Sequence, residues 1–395
     1  MKIERVAVIK HGSAVNEVKI VCGLGDSEKF AMHDSIIPYA KEFLDVFSEM
    51  DLLFVGRKLS YQELEYANCR AVDVLSEFPS DLPLLVRTLR RLKADRVIRK
   101  EISRYHPQIV FGAGLSKDQA VQFDIAKKIG ALYVPMIVSP LDKKPKDPIR
   151  LRYWKKEREM LKSDEVPFIL TRGEFLRDHV IETTGASSEK VLDYWPQYPH
   201  SFYEDTAPSP FIHDGPNLLW VGRLGAEKGV MMLPQIIEGV RKKHSNIKIH
   251  ILGVGFLEDD LRSELTKIDP DGKNWELVGY IPSTEISRYF SNCDVHVMTT
   301  LDEGFGKTLF EGMLCGAPIV VSDVDNMPYL VKDGVRGFLA EAGNPEPFIE
   351  KICTLLENPK LAAEFGENAA KYSRDVHKPS FSTRALEIIR KTELK

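Results

Sequence analysis

The chain has 395 residues, 43% of them hydrophobic and 28% charged, the balance of a soluble globular protein with room for two or three domains. A net charge of −4, from 54 basic and 58 acidic side chains, argues against nucleic acid as the main partner. No apolar run approaches a bilayer span, the start Met1-Lys-Ile-Glu-Arg-Val lacks a secretory pattern, and Cys22, Cys69, Cys293, Cys315 and Cys353 show neither disulfide nor metal spacing. The expected setting is therefore a reducing cytoplasm.

Taken in order, strand-like and helix-like segments alternate, the mark of doubly wound parallel sheets. Residues 6–9 read as an extra strand ahead of the usual first one. Residues 18–22 read as a strand, Gly23-Leu-Gly25-Asp26-Ser27 as a turn, 30–47 as a helix and 52–56 as a strand again. Residues 82–104 carry eight basic side chains and two acids, with Leu82, Leu85, Val86, Leu89 and Leu92 at helical spacing. Two readings fit: a solvated face on a core helix, or an amphipathic face that docks on an anionic membrane surface. Further strands are expected at 108–111, 132–138, 166–170 and 191–194. Residues 1–200 are expected to form one domain, and the proline- and aromatic-rich stretch 201–216 a linker. A second domain is expected over 217–375, with a final helix within 376–395.

The second half carries the most specific pattern. Asn217-Leu-Leu-Trp-Val-Gly-Arg223 reads as a strand entering a turn, and Lys228 follows beside Gly229, ahead of a helical run over 230–240. A second strand, 294–298, runs into Glu303-Gly304-Phe305-Gly306-Lys307-Thr308-Leu309-Phe310-Glu311, then a helix, then a buried strand over 318–322. Glycines at a strand-to-helix turn let a ligand approach the backbone. A helix start offers unpaired N–H groups and partial positive charge to an anion. Arg223 and Lys228, at a similar junction beside Gly222, supply forked and compact positive charge for phosphate. Acids beside such a site suit a ligand that also carries hydroxyls, since a carboxylate only accepts hydrogen bonds. A nucleotide-sugar has both. An isolated Arg or Lys would more simply solvate a loop; the pairing with the acid–glycine element favours phosphate.

These residues resemble the family-4 retaining glycosyltransferases of the GT-B fold. The likeness rests on Arg223-x4-Lys228, Glu303-x7-Glu311 and the order of segments between them. Ile249-His-Ile-Leu-Gly253-Val-Gly255, Val278-Gly-Tyr-Ile281-Pro282 and Gly316-Ala-Pro-Ile-Val-Val-Ser-Asp323 add to it. It is close over roughly residues 215–345. It implies an α/β architecture of two Rossmann-like domains facing a central cleft, with the C-terminal helix crossing back to the first domain. It further implies transfer of a sugar from a nucleotide-diphosphate sugar donor to an acceptor hydroxyl, with retention and no cofactor or obligatory metal. Arg223, Lys228 and the N–H groups from Phe305 to Thr308 would neutralise the diphosphate. Glu303 would hold the sugar, Glu311 the ribose and Ile281 the base, while Gly25 would let a first-domain loop approach the phosphates.

Departures from the family pattern fall on the acceptor side. Histidines are missing from Phe111-Gly-Ala-Gly114 and from Ile137-Val-Ser139-Pro140-Leu141-Asp142, and only Glu174 matches in Thr171-Arg-Gly-Glu174. A non-catalytic nucleotide-sugar-binding scaffold is therefore the alternative, and a sugar-nucleotide epimerase a third. A glycosidase pair fits less well. On one helix Glu303 and Glu311 would stand about 12 Å apart along the axis, against roughly 5–9.5 Å for paired glycosidase carboxyls. Asp269-Pro-Asp271 and Asp323-Val-Asp325 spell the acid-x-acid pattern of metal-dependent transferases. The first reads better as a turn, the second as a helix cap or loop lining.

Overall fold

The computed structural model describes residues 2–9, 14–15, 18, 47–58, 62–75, 84–114, 116–141, 144–198, 200–204, 208–282, 285–375 and 378–394; the side chains of 57, 58, 75, 84–92 and 201 lie outside that description. The chain forms two compact units, Met1–Gln197 with Lys378–Lys395, and Tyr198–His377.

The first unit holds strands β1 (Arg5–Ile9), β2 (Asp51–Lys58), β3 (Gln62–Tyr66), β4 (Cys69–Leu75), β5 (Ile109–Ala113), β6 (Leu132–Ile137), β7 (Ile169–Arg172) and β8 (Val191–Tyr194). They make one sheet in the order β3-β4-β2-β1-β5-β6-β7-β8. Its pairs are parallel apart from the β3–β4 hairpin. Successive side chains of a strand point to opposite faces. Val6, Val8, Leu52, Phe54, Ile109 and Phe111 accordingly enter one core, while Ala7, Ile9, Leu53, Val55 and Val110 enter the other. Burial on both faces explains the near-continuous apolar runs.

Helix Leu84–Tyr105 buries Ala94, Ile98 and Ile102 in the second of these cores. Helix Phe381–Glu393 buries Phe381, Ala385, Ile388 and Ile389 in the first. The Phe381 ring meets those of Phe111 and Tyr194 edge-on, at 5.6 Å each. Ser380 caps this helix by accepting a 3.0 Å bond from the Thr383 N–H.

Two expectations change. Residues 6–9 are no addition: β1 lies between β2 and β5, where a strand buried on both faces belongs. Val18 is helical rather than the start of a strand. The remainder of that segment, Gly25 and the 30–47 helix up to residue 46 lie outside the described residues. The β3–β4 hairpin was not foreseen. It turns at Ala67, whose φ of 49° gives no sequence signal, and β3 is an exposed, glutamate-bearing edge strand.

The second unit holds β9 (Asn217–Val221), β10 (Lys248–Leu252), β11 (Trp275–Gly279), β12 (Val295–Met298), β13 (Ile319–Ser322) and β14 (Phe338–Ala340). All pairs are parallel, in the order β11-β10-β9-β12-β13-β14. The strand order reverses at β9, which has β10 on one side and β12 on the other. Open parallel sheets bind ligands beyond the carboxyl ends of strands at such a reversal. Residues of the 201–216 stretch pack on this unit: Phe202 and Phe211 lie against the cluster that contains Leu219, Tyr289 and Phe290. Among the described residues no helix is long and apolar enough to cross a membrane.

Candidate functional site

Beyond β9 the chain turns at Gly222, behind which Gly253 lies with φ 130°; a Cβ at 253 would stand 1.8 Å from the Gly222 carbonyl oxygen. The turn leads through Arg223 into a 3₁₀ turn, Ala226–Lys228, that closes on Gly229 at φ 61°. A Cβ at 229 would lie 2.0 Å from the Thr299 carbonyl oxygen. The loop after β9 thus rests directly on the end of β12. Two bonds lock it there: Thr299 Oγ1 donates to the Lys228 carbonyl at 2.9 Å, and the Leu301 N–H donates to the Glu227 carbonyl at 2.8 Å. Thr299 Oγ1 also accepts from the buried Trp220 indole at 3.0 Å. The expected helix over 230–240 begins only at Leu233, with Pro234 in its first turn after a second 3₁₀ turn.

This seating brings Lys228 and Glu303 together, with Nζ 2.5 Å from Oε2 and side chains only 20% and 16% exposed. Glu303 precedes helix Lys307–Leu314, whose amino end no side chain caps. Gly306 sits at the N-cap position with φ 80°. The loop between is gripped from the β13 side. Asp325 Oδ2 accepts from the Glu303 N–H at 3.0 Å, and Asn326 Nδ2 donates to the Phe305 carbonyl at 2.8 Å.

A cavity of about 140 Å³ lies at this point, lined by Gly222, Arg223, Lys228, Glu303, Lys307 and Thr308 together with Trp220, Val221, Met298 and Thr300. Six of the residues singled out from sequence therefore converge. The others stand apart from its lining. Gly304, Phe305 and Gly306 form the loop leading to the helix, with Phe305 buried against Phe310 at 5.5 Å. Gly253 backs Gly222. Ile281 follows β11 and packs on the core cluster. The Glu311 side chain is 4% exposed and 3.5 Å from Lys307 Nζ. Its Oε1 accepts from the Tyr198 hydroxyl at 3.1 Å. Gly25 is outside the described residues.

Several partners were not foreseen. Arg223, 64% exposed, pairs with Glu227 at 2.9 Å, an i,i+4 spacing that was open to inspection. Tyr198, Asp325 and Asn326 lie too far along the chain for spacing to link them to the site, and Thr299, four residues before Glu303, carries no sequence signal of its bond to the Lys228 carbonyl. Three of the four acids in the acid-x-acid pairs have partners within the protein. Asp269 Oδ2 accepts from the Asn274 N–H at 2.8 Å, and Asp271 pairs with Lys273 at 3.0 Å. Asp325 lines a loop, and Asn326 holds the N-cap position of helix Met327–Val331. Among the described residues no group of three or more His, Cys, Asp or Glu gathers as metal ligands.

Beneath the site, His296 of β12 is fully buried between Phe290, 5.0 Å away, and Gly312, where a Cβ would meet its Nδ1 at 2.7 Å. Neither ring nitrogen has a hydrogen-bond partner among the described residues. Burial pushes its pKa down to about 3. His250, bonded to Asn217 and Glu276, is pushed down to about 4, mainly by burial.

Residues 202–372 match the family described as glycosyl transferases group 1. An uncharacterised glycosyltransferase of Methanocaldococcus jannaschii is 31% identical over 156 residues, 40% of this chain and 42% of that protein. The poly(ribitol-phosphate) alpha-N-acetylglucosaminyltransferase of Staphylococcus aureus is 30% identical over 150 residues, 38% of this chain and 30% of that protein. The chain thus spans less than half the length of these curated relatives. Sucrose-phosphate synthase from Thermosynechococcus elongatus superposes with a TM-score of 0.74 at 14% identity, over 99% of this chain and 98% of that one. Anabaena HepE, solved with UDP and glucose, gives 0.69 at 15% identity, over 99% and 100%. These likenesses show the GT-B fold.

Proposed function

We propose, from the match of residues 202–372 to the family described as glycosyl transferases group 1, that the chain moves a sugar from a nucleotide-diphosphate donor onto an acceptor hydroxyl. Retention of configuration and independence of a metal belong to the same proposal. The observation that carries it is the convergence of Arg223, Lys228, Glu303 and the uncapped helix start on one cavity at the strand reversal. Lys228 and the N–H groups of Lys307 and Thr308 take the charge of the leaving diphosphate, aided by the positive end of the helix. Arg223 leaves Glu227 to fork onto a phosphate. Glu303 accepts from the sugar hydroxyls, and the departing phosphate oxygen takes the acceptor's proton. Glu311, on exchanging its bond with the Tyr198 hydroxyl, serves the ribose, and Ile281 the base.

Uridine diphosphate sugars are the first donors to try, since several of the structures of similar fold contain UDP or UDP-glucose. Release or transfer of sugar by the wild type and its loss in Glu303→Gln is the expected result. A protein that neither binds nor turns over any nucleotide-diphosphate sugar overturns the proposal. A cytoplasmic location with docking on an anionic membrane surface through residues 82–104 is a second element. The exposed Lys93, Arg96, Arg99, Lys100 and Arg104 on helix Leu84–Tyr105 support it.

A further inference from the structure

Asp325 is the unexplained acid of the Asp323-Val-Asp325 pattern. Its side chain is exposed, so burial does not account for its placement. Its backbone adopts φ 46°, a left-handed conformation that is costly for most non-glycine residues and that Asp and Asn visit most readily. That conformation accompanies a carboxylate turned onto the Glu303 N–H, 22 residues back in the chain, at 3.0 Å. The neighbouring Asn326, 2% exposed, fastens the other end of the same short loop through the Phe305 carbonyl.

We propose that Asp325 is a positioning residue for sugar transfer, holding Glu303 in place when a donor occupies the cavity. The inference rests on the donor-site proposal above. Among the described residues two interactions orient Glu303: the side-chain pair with Lys228 and the main-chain bond to Asp325. A diphosphate in the cavity competes for Lys228 and weakens the first. The second does not involve the phosphates, so Asp325 becomes the remaining anchor at the moment when the Glu303 carboxylate must face the sugar. Small misplacements of a positioning group cost large factors in rate. Loss of Asp325 should therefore lower turnover while leaving nucleoside diphosphate binding, which depends on Arg223, Lys228 and the helix start, nearly intact.

The test uses the full chain with Asp325→Gly, which keeps the left-handed backbone and removes the carboxylate, and Asp325→Asn, which keeps an oxygen acceptor. UDP, GDP and ADP are titrated by calorimetry, and sugar release is followed from UDP-glucose, GDP-mannose and ADP-glucose. For whichever nucleotide the wild type binds, Asp325→Gly should retain affinity within about threefold and lose at least about tenfold in kcat, one lost oriented hydrogen bond. Asp325→Asn should recover most of that loss. Unchanged kcat in Asp325→Gly, affinity and melting temperature falling along with kcat, or no recovery in Asp325→Asn each overturns the inference alone. A wild type that binds none of the three nucleotides overturns the donor site itself, and this inference with it.

Discussion

Lys228 Nζ lies 2.5 Å from Glu303 Oε2, although the two residues are 75 positions apart in the chain. The pair has two consequences. Each charge is held in a partly buried place without a ligand, and each is released to a different half of a donor when one arrives. Lys228→Ala should lower kcat/KM by about two orders of magnitude, since one oriented charge supplies roughly 3 kcal/mol at a developing anion. Because the residues are in contact, Lys228→Ala with Glu303→Gln should cost clearly less than the sum of the single losses. Steady-state rates of the two single variants and the double variant check both points.

Gly229 sits at φ 61° with the Thr299 carbonyl where a Cβ would go. Gly229→Ala adds a left-handed penalty of roughly 1–2 kcal/mol to a clash with main chain that cannot swing aside. A loss of about 2 kcal/mol or more in urea unfolding is expected, with a fall in activity as Lys228 moves. A variant as stable and active as the wild type would contradict the close approach of the β9 and β12 loops.

His296 predicts the acid limb of stability. Its folded pKa of about 3 lies below the unfolded value near 6.5, so below pH 6.5 the unfolded chain binds the extra proton. The stabilisation is fully present above pH 6.5 and is lost as pH falls toward 3. Between pH 7.5 and pH 5 the loss from this residue should be about 2 kcal/mol. His250, lowered to about 4, acts in the same direction. His296→Leu should flatten the dependence by about that amount in unfolding curves taken across the range.

Phe381 belongs to the core of the first unit. Phe381→Ala should cost about 3–5 kcal/mol, the usual range for a buried aromatic. Hydrogen exchange during unfolding should place that loss in residues of the first unit and leave β9 to β14 protected as before.

Vesicle co-sedimentation addresses residues 82–104. Binding to vesicles containing phosphatidylglycerol that exceeds binding to neutral phosphatidylcholine, and that weakens with salt, is expected. Replacing Arg96, Arg99, Lys100 and Arg104 with glutamine should reduce it. Equal binding to both lipids would favour a merely solvated face. The described half of the helix does bury Ala94, Ile98 and Ile102 in the core, as that alternative requires.

Much of the second unit was legible because a doubly buried strand and its terminal glycine are local signals. The run 217–221 and the turn at Gly222 stand where composition put them, and Arg223, Lys228 and Glu303 could be picked out as charges just past strand ends. What sequence could not supply was tertiary hydrogen bonding. Asp325 reads as half of a metal-like acid pair until the chain brings it onto the Glu303 N–H. Tyr198 reads as the tail of the first domain until its hydroxyl reaches Glu311. In the first unit the 6–9 run was recognised as a strand but misplaced, because the order of strands in a sheet is set by crossovers that apolar runs do not encode. Glu303 and Glu311 differ in the same way: one lines the cavity and the other is buried outside its lining against Tyr198, a distinction their spacing does not contain.

Helix Phe381–Glu393 carries four buried side chains of the first unit's core, although the whole of Tyr198–His377 separates it in the chain from that unit's strands. A ribosome releases that helix after the whole of the second unit. The uninterrupted stretch Tyr198–His377 is thus free to mature during translation, while the strands made earlier wait with an apolar face open to water. Chaperone dependence and premature-termination products should therefore concentrate on the amino-terminal half of the polypeptide.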